Sequence, residues 1–172
     1  VEVKPVKRYP APPFTTSTLQ QEASRKLGFS VNRTMSTAQR LYESGSISYM
    51  RTDSTFISQT ALSAMAVEIE KQFGKEYVNT RQYKTKNSSA QEAHEAIRPT
   101  YMDLRNAGET SDQQKLYELI WKRAMASQMS PAELEKTIVQ LSISKSTAHK
   151  FVAEGEVLLF DGFLKLYLES SD

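Results

Sequence analysis

Apolar residues recur at helical spacing through the middle of the chain, and each run follows a residue that can begin a helix. Thr15, Thr16 and Ser17 are N-cap types for a helix that reaches about Leu27 and is broken by Gly28. Ser30 can cap a second helix that stops at Gly45. The inward stripe of this second helix is predicted to contain Val31, Met35, Ala38 and Tyr42.

Two more helices are predicted further along the chain. An apolar stripe indicates a helix ending at Gly74, after a turn that Asp53 or Ser54 begins; its members are Ile57, Ala61, Leu62, Met65, Ile69 and Phe73. The polar stretch 75–90 predicts a loop, and Pro99 keeps any helix just before it short. A last helix is predicted over about 112–128, with Leu116, Leu119, Ile120 and Ala124 facing inward.

Both ends of the chain have the pattern of β-strands. Residues 1–9 alternate apolar and polar, and prolines from Pro10 onward end the segment. From Lys136 onward, further strands are predicted through Ile143, at Phe151, over 157–160 and over 163–168, with turns at Gly155 and at 161–162.

Together these segments predict an α+β, mainly helical fold. A helical domain, residues 13–131, is inserted into a small β domain formed by residues 1–12 and 132–172. The first two helices, their short Gly-containing turn and the extended segment that follows have the outline of a helix-turn-helix element with a wing.

Composition excludes several classes of protein. The 172 residues include no cysteine, so disulfides, thiolate metal sites and cysteine nucleophiles are ruled out. No run approaches the roughly 18 apolar residues that a membrane span needs. The chain opens on a strand pattern without an initiator Met or signal peptide, and we expect it to be a piece of a larger protein.

Charge is unevenly distributed along the chain. The formal net charge is +2, yet residues 1–52 hold eight Lys and Arg against three Glu, a balance of +5, and the remainder carries −3. A basic surface in the first part suits a polyanionic partner such as DNA. A solvated helix face would show the same composition.

Tyr49 and Arg51 are the strongest candidates for chemistry. If their segment is extended, side chains two residues apart point to the same face, so phenol and guanidinium project together while Met50 turns away. A phenol can attack a phosphate, and a fixed cation beside it stabilises the charge of the transition state. On a helix the two side chains would diverge by about 200°. A Tyr-x-Arg triplet also occurs by accident in a chain with 8 Tyr and 22 Lys and Arg.

His94 marks a second candidate motif, residues 91–100. At helical spacing it shares a face with Arg98. An imidazole there can hydrogen-bond a phosphate or supply a proton near neutral pH. The alternative is a solvated or capping histidine. Glu92, His94 and Glu95 could also suggest a metal site, but they lack the His-Glu-x-x-His spacing.

Four segments in this order resemble type IA DNA topoisomerases: residues 13–23, 38–43, 45–54 and 91–100. The Tyr-Met-Arg form of the third is similar to the bacterial topoisomerase I branch, because the topoisomerase III branch usually has proline at the position of Met50. The resemblance covers roughly residues 13 to 131 and is weaker at the β ends.

The resemblance implies a toroidal enzyme with a helical gate domain hinged through a β arch. Tyr49 would be the nucleophile that forms a 5′-phosphotyrosine bond to one DNA strand, Arg51 would bind the scissile phosphate, and His94 would assist there. Thr52, Asp53 and Arg98 are the further DNA-binding candidates, with Thr52 and Asp53 also orienting Arg51; Asp53 as a helix N-cap is the alternative. The substrate would be a single-stranded segment of negatively supercoiled DNA in the bacterial cytoplasm, at the nucleoid.

The family also needs an acidic Mg²⁺ site with a nearby lysine and glutamate. This chain has no Asp-x-Asp-x-Glu pattern, so we expect Mg²⁺ and its ligands in the remaining domains of the same polypeptide and no metal ligand here. The chain alone is expected to be inactive.

Two alternatives stay open. A non-catalytic helix-turn-helix DNA-binding module fits the composition, although it needs neither the Tyr49–Arg51 pair nor the His94 motif. A tyrosine recombinase would normally carry its tyrosine near the C-terminus, beyond its histidines and arginines, whereas Tyr49 precedes His94.

Overall fold

The computed structural model describes residues 1–83, 94–144 and 146–169. Strand β1 spans Glu2–Arg8. Helices α1 (Thr16–Leu27), α2 (Val31–Glu43), α3 (Gln59–Phe73) and α4 (Ser111–Ala126) follow. Strands β2 (Ala132–Ile143) and β3 (Ser146–Phe160) come next, and short 3₁₀ helices lie at Lys75–Tyr77 and Gly162–Lys165. The described residues therefore form a mixed α+β structure, as the sequence predicts at this level.

The three strands form one antiparallel sheet in the order β1-β2-β3. β1 pairs along its whole length with the first part of β2, Glu2 opposite Ile138 and Arg8 opposite Ala132. The two ends of the chain thus meet in one sheet, with the four helices between them in sequence. No helix in the described ranges is both long and apolar enough to cross a bilayer.

The first two helices start at predicted cap residues. The Thr15 hydroxyl accepts from the N–H of Thr18, whose hydroxyl bonds back to the N–H of Thr15. Ser30, Ser58 and Thr110 cap α2, α3 and α4 in the same way through their side chains. Gly28 ends α1 at φ +67°, a left-handed conformation that favours glycine.

The core lies among the helices and reaches the base of the sheet. α4 packs against both α1 and α2, and its Trp121 is fully buried, donating its indole N–H to the carbonyl of Met102 at 2.9 Å. The four inward residues predicted for α4 are all buried. The first α4 turn is also joined to α2 by a two-pronged bond from Arg33 to Asp112.

Several predictions about individual elements are wrong. Val31 and Tyr42 are exposed, at 56% and 42%, because α2 turns Thr34, Thr37 and Leu41 inward instead. No helix starts at Asp53, since α3 begins six residues later after the cap at Ser58.

The C-terminal strands also differ from the prediction. Gly155 lies inside β3 opposite Thr137 rather than in a turn. Residues 163–168 are not a strand, because a 3₁₀ helix occupies Gly162–Lys165. Residues 94–100 contain no helix, so His94 and Arg98 do not share a helical face. Within the predicted loop 75–90, Lys75–Tyr77 forms a 3₁₀ helix. Residues 84–90 of that loop, and residues 91–93 of the motif for which a short helix was considered, lie outside the described residues.

Candidate functional site

Three of the sequence motifs, far apart in the chain, pack side by side. Phe14 forms an isolated antiparallel bridge with Ile97, and Ile47 forms another with Pro99. The N–H of Ile97 donates to the carbonyl of Phe14 at 2.9 Å, and the N–H of Thr100 donates to Ser46 at 3.0 Å. The segment before α1, the segment around Tyr49 and the segment after His94 therefore form one hydrogen-bonded unit.

Ser48 fastens the Tyr49 segment to the His94 segment. Its N–H donates to the carbonyl of Arg98 at 2.9 Å, and its hydroxyl donates to the carbonyl of Ala96 at 2.7 Å. The same hydroxyl accepts from the N–H of Arg98 at 2.9 Å. With a donor and an acceptor both used, this side chain fixes the backbone just before Tyr49.

Exposure alternates across Tyr49, Met50 and Arg51, as expected for a non-helical segment. Met50 is fully buried in the core, whereas Tyr49 is 45% exposed and Arg51 is exposed. The ring of Tyr49 meets Tyr42 of α2 edge-on, with centroids 5.1 Å apart. The phenol is thus held by its ring and accessible to a ligand.

A cleft of about 500 Å³ opens beside this segment. Arg51, Thr52, Asp53 and His94 line one part of it, and the start of α1 lines the other, with Thr15, Thr16, Ser17 and Gln20. The structure therefore brings four of the predicted site residues together. Tyr49 lies next to them in the chain but is not among the lining residues.

Arg51, Asp53 and His94 are all exposed. Among the residues that the structure describes, Arg51 has no hydrogen-bond or ion-pair partner. A guanidinium with all its donors available in an open cleft can bind a phosphate in a two-pronged manner. Asp53 places one carboxylate near it.

Thr52 and Ser54 shape the turn that carries Asp53. The hydroxyl of Thr52 accepts from the N–H of Ser54 at 3.0 Å, and the hydroxyl of the buried Ser54 accepts from the N–H of Phe56 at 3.1 Å. These are two consecutive side-chain turns, and they fix the backbone that follows Arg51.

Arg98 is positioned differently from the other candidates. Its guanidinium donates two hydrogen bonds to Glu95 and a third to the carbonyl of Pro99 at 3.0 Å. Burial alone would raise the pKa of Glu95, but the bonds and charge of Arg98, together with Ser58, outweigh it and lower that pKa. Arg98 does not line the cleft, so the structure keeps it apart from Arg51 and His94.

Sequence reasoning did not identify three residues that hold this site. They are Ser48, Tyr42 and Thr16. The hydroxyl of Thr16 bonds to the backbone on both sides of Arg51. The three hydroxyl residues at 15–17 could have pointed to Thr16, because a helix needs only one of them as its N-cap and the others are available for different bonds.

A metal site does not form from the described residues. No three His, Asp or Glu side chains in those ranges lie close enough together to hold an ion. Glu92, one of the three residues considered for such a site, falls outside the described residues. Asp53 supplies a single carboxylate to the cleft.

Comparison with known proteins gives consistent matches. A family model described as DNA topoisomerase matches residues 1–172. The chain is 52% identical to DNA topoisomerase 1 of Zymomonas mobilis, covering 100% of this chain and 14% of that protein. It is 51% identical to a mimivirus protein named DNA topoisomerase 1 type prokaryotic, covering 100% of this chain and 21% of that protein.

A solved structure agrees with these relatives. Full-length topoisomerase I from Thermotoga maritima superposes with a TM-score of 0.83 at 42% identity, over 99% of this chain and 30% of that one. The chain spans about a fifth or less of the curated relatives' length. The family-wide match and the shared fold show that this chain belongs to the bacterial type IA DNA topoisomerase I family.

Proposed function

We propose that this chain supplies the nucleophile of a type IA DNA topoisomerase, with Tyr49 attacking a DNA phosphodiester. The observation that carries the proposal is the half-exposed Tyr49 two residues before Arg51, which lines a cleft together with His94. A DNA-binding module without chemistry would need neither the exposed tyrosine nor an exposed guanidinium two residues away that has no partner in the described part of the chain.

The proposed step forms one bond and breaks one. The phenolic oxygen of Tyr49 bonds to phosphorus, and the bond from phosphorus to the 3′ oxygen breaks, leaving a 5′-phosphotyrosine and a free 3′ hydroxyl. The phenol proton leaves and the departing 3′ oxygen gains one. Because a free tyrosine has a pKa of about 10, the phenol needs help to lose its proton.

Arg51 and His94 have complementary roles in this step. The guanidinium of Arg51 stabilises the negative charge that grows on the phosphate oxygens. His94, exposed at the same cleft, hydrogen-bonds the phosphate or takes part in proton transfer. Thr52 and Asp53 orient Arg51 and contact the DNA, and Arg98 supports the segment from its bond to Glu95.

We assign residues 13–131 to a helical gate domain and residues 1–12 and 132–172 to the two parts of a β arch in a toroidal enzyme. The pairing of β1 with β2, on either side of the helices in sequence, supports this division. The α1–α2 pair is the helix-turn-helix-like element of the gate.

The partners follow from the same proposal. The substrate is a single-stranded segment of negatively supercoiled DNA in the bacterial nucleoid, and the other domains of the same polypeptide complete the active site. Mg²⁺ would bind to those domains, because the acidic Asp-x-Asp-x-Glu pattern that the family needs is not in this sequence. Alone, the chain is expected neither to cleave nor to relax DNA.

The test uses the full-length protein that contains this chain. Tyr49→Phe should abolish cleavage of a labelled single-stranded oligonucleotide and leave the melting temperature nearly unchanged, because it removes one exposed hydroxyl. Tyr101→Phe, also at an exposed tyrosine but on a different groove, is the matched control and should cleave normally. Cleavage by Tyr49→Phe at the normal rate would overturn the proposal.

A further inference from the structure

Thr16 connects the start of α1 to the backbone on both sides of Arg51. Its hydroxyl donates to the carbonyl of Met50 at 2.7 Å, and the carbonyl of Thr52, at 3.1 Å, is a second acceptor within reach. The same hydroxyl accepts from the N–H of Thr52 at 2.8 Å. Its own N–H donates to the carbonyl of Thr52 at 2.9 Å. One residue thus satisfies the peptide groups that precede and follow Arg51.

These bonds are not needed to begin the helix. Thr15 and Thr18 already form the reciprocal cap of α1. The Thr16 N–H is one of the donors that a helix start leaves without an internal partner, and the carbonyl of Thr52 accepts it. The hydroxyl of Thr16 therefore acts as both donor and acceptor on the Arg51 segment.

Arg51 depends on this anchoring more than most side chains would. It is exposed, and no side chain of the described part of the chain bonds to it. The backbone therefore sets the direction of its Cα–Cβ bond, and with it the part of the cleft that the guanidinium can reach. Met50 holds one neighbour in the core, and Thr16 fixes the peptide groups on either side.

We propose that Thr16 is a positioning residue for the cleavage reaction, acting through Arg51. Its hydroxyl fixes the backbone so that the guanidinium enters the cleft in line with the phosphate that Tyr49 attacks. Because Thr is β-branched, its χ1 is restricted and the hydroxyl is held between the two peptide groups. The inference rests on the proposed function of Tyr49 and Arg51.

Two substitutions in the full-length protein separate the hydroxyl from the shape of the side chain. Thr16→Val keeps the branch and loses the side-chain bonds, so single-turnover cleavage of an oligonucleotide should fall roughly 10- to 100-fold, the scale of a misplaced catalytic group. Thr16→Ser keeps the hydroxyl and should recover most of that rate. Thr16→Ala is measured in parallel. Thr16→Val places a methyl group where the hydroxyl met the two carbonyls, whereas Thr16→Ala removes the hydroxyl without adding that contact.

A control variant removes a similar hydroxyl elsewhere. Thr37 of α2 is buried, whereas Thr16 is half-buried, and the Thr37 hydroxyl donates to the carbonyl of Arg33 at 2.6 Å, within its own helix. Thr37→Val should cleave at the rate of the unchanged protein. A fall equal to that of Thr16→Val would mean that loss of any buried hydroxyl slows the enzyme, and would overturn the proposal.

The decisive readout is the coupling of Thr16 to Arg51. In an Arg51→Ala background, Thr16→Val should lower the rate less than twofold further, because the group that it positions is gone. An undiminished fall in that background would show that Thr16 acts independently of Arg51. Equal rates for Thr16→Ser, Thr16→Ala and Thr16→Val would contradict the role of the hydroxyl.

The proposed function can fail separately from this inference. If Tyr49→Phe still cleaves, the function itself is wrong. If Tyr49→Phe is inactive while Thr16→Val and Thr16→Ala cleave normally, only the positioning role is wrong.

Discussion

The peptide groups on either side of Arg51 are hydrogen-bonded, while its side chain is exposed. This is the arrangement expected of a side chain that binds a ligand. The alternation of Tyr49, Met50 and Arg51 could be predicted from the motif, since an extended segment places residues two apart on one face. The hydroxyls of Ser48 and Thr16 that hold the segment could not, because their partners lie 34 to 50 positions away in the chain.

Arg51→Ala in the full-length protein should lower single-turnover cleavage by about 100- to 1000-fold, since a charged donor at the transition state is lost. Arg51→Lys should retain part of the activity, because an ammonium supplies the charge without the planar fork. Melting curves should barely change for either variant, as the side chain is exposed. A normal rate for Arg51→Ala, or a large loss of stability, would make Arg51 structural.

Tyr77 shows how a single contact couples the helices to the end of the sheet. Its hydroxyl donates to Asp161 at 2.7 Å, and this hydrogen bond, with burial and the carboxylate charge, raises the pKa of Tyr77 to about 12. The unfolded chain would ionise this phenol at about pH 10. The resulting stability is therefore fully present below pH 10 and is lost as pH rises through about 12.

Tyr77→Phe should make the free energy of unfolding less sensitive to pH between these two values. The measurement is urea unfolding of the 172-residue chain at several alkaline pH values, alongside ultraviolet titration of its tyrosines. Asp161→Asn should move the ionisation of Tyr77 toward pH 10. An unchanged titration curve for Asp161→Asn would show that the carboxylate does not control this group.

Among the secondary-structure elements, helix positions were more predictable than strands. Caps at Thr15 and Ser30 and the stop at Gly28 are local chemistry, so sequence alone identified them. The inward face of α2 was misjudged at Val31 and Tyr42, because the neighbouring helices determine which stripe is covered. At the C-terminal end, the run 163–168 begins in the 3₁₀ helix Gly162–Lys165 rather than in a strand, and its Phe163 and Tyr167 are buried in the core.

Two glycines near the sheet differ in how much space a side chain would have. Gly162 has φ +52°, and a Cβ there would lie 2.4 Å from the carbonyl oxygens of Ser130 and Pro131. Gly155 lies in β3 with open space around it. The sequence predicted a turn between strands at both, whereas Gly155 lies inside β3 and Gly162 begins a 3₁₀ helix.

Gly162→Ala should destabilise the chain by roughly 1 to 3 kcal/mol or more, from backbone strain and the close carbonyls. Gly155→Ala is the matched control and should stay within about 0.5 kcal/mol of the unchanged chain. Urea unfolding of both variants measures the difference. Equal stabilities would contradict the tight approach at the junction of β3 and the 3₁₀ helix.

At the scale of the whole molecule, the uneven charge of the sequence does not become a uniformly basic surface. Most basic residues in the first 52 lie in salt bridges: Lys4, Lys7, Arg8, Arg25, Lys26 and Arg33. Within the described ranges, Arg40 and Arg51 form no ion pair. Three of these cations, Lys7, Arg8 and Arg33, pair with carboxylates from distant segments that folding brings to them.

Binding of the chain to single-stranded DNA should consequently be weak and only moderately sensitive to salt. If Arg40 and Arg51, the cations of residues 1–52 that form no ion pair within the described ranges, are the ones that neutralise phosphates, the slope in a plot of log affinity against log salt is about −1.4. Fluorescence anisotropy with a labelled oligonucleotide measures it, and Arg51→Ala should reduce the slope by about half. A slope steeper than about −4 would mean that the salt-bridged cations also bind DNA phosphates.

The central claim is that Tyr49 becomes covalently joined to DNA. The most direct measurement is to denature the full-length enzyme during cleavage of an oligonucleotide, digest the trapped adduct and locate the nucleotide by mass spectrometry. The account predicts a nucleotide linked through its 5′ phosphate to the peptide that contains Tyr49. A nucleotide on another residue, or one attached through a 3′ phosphate, would contradict it.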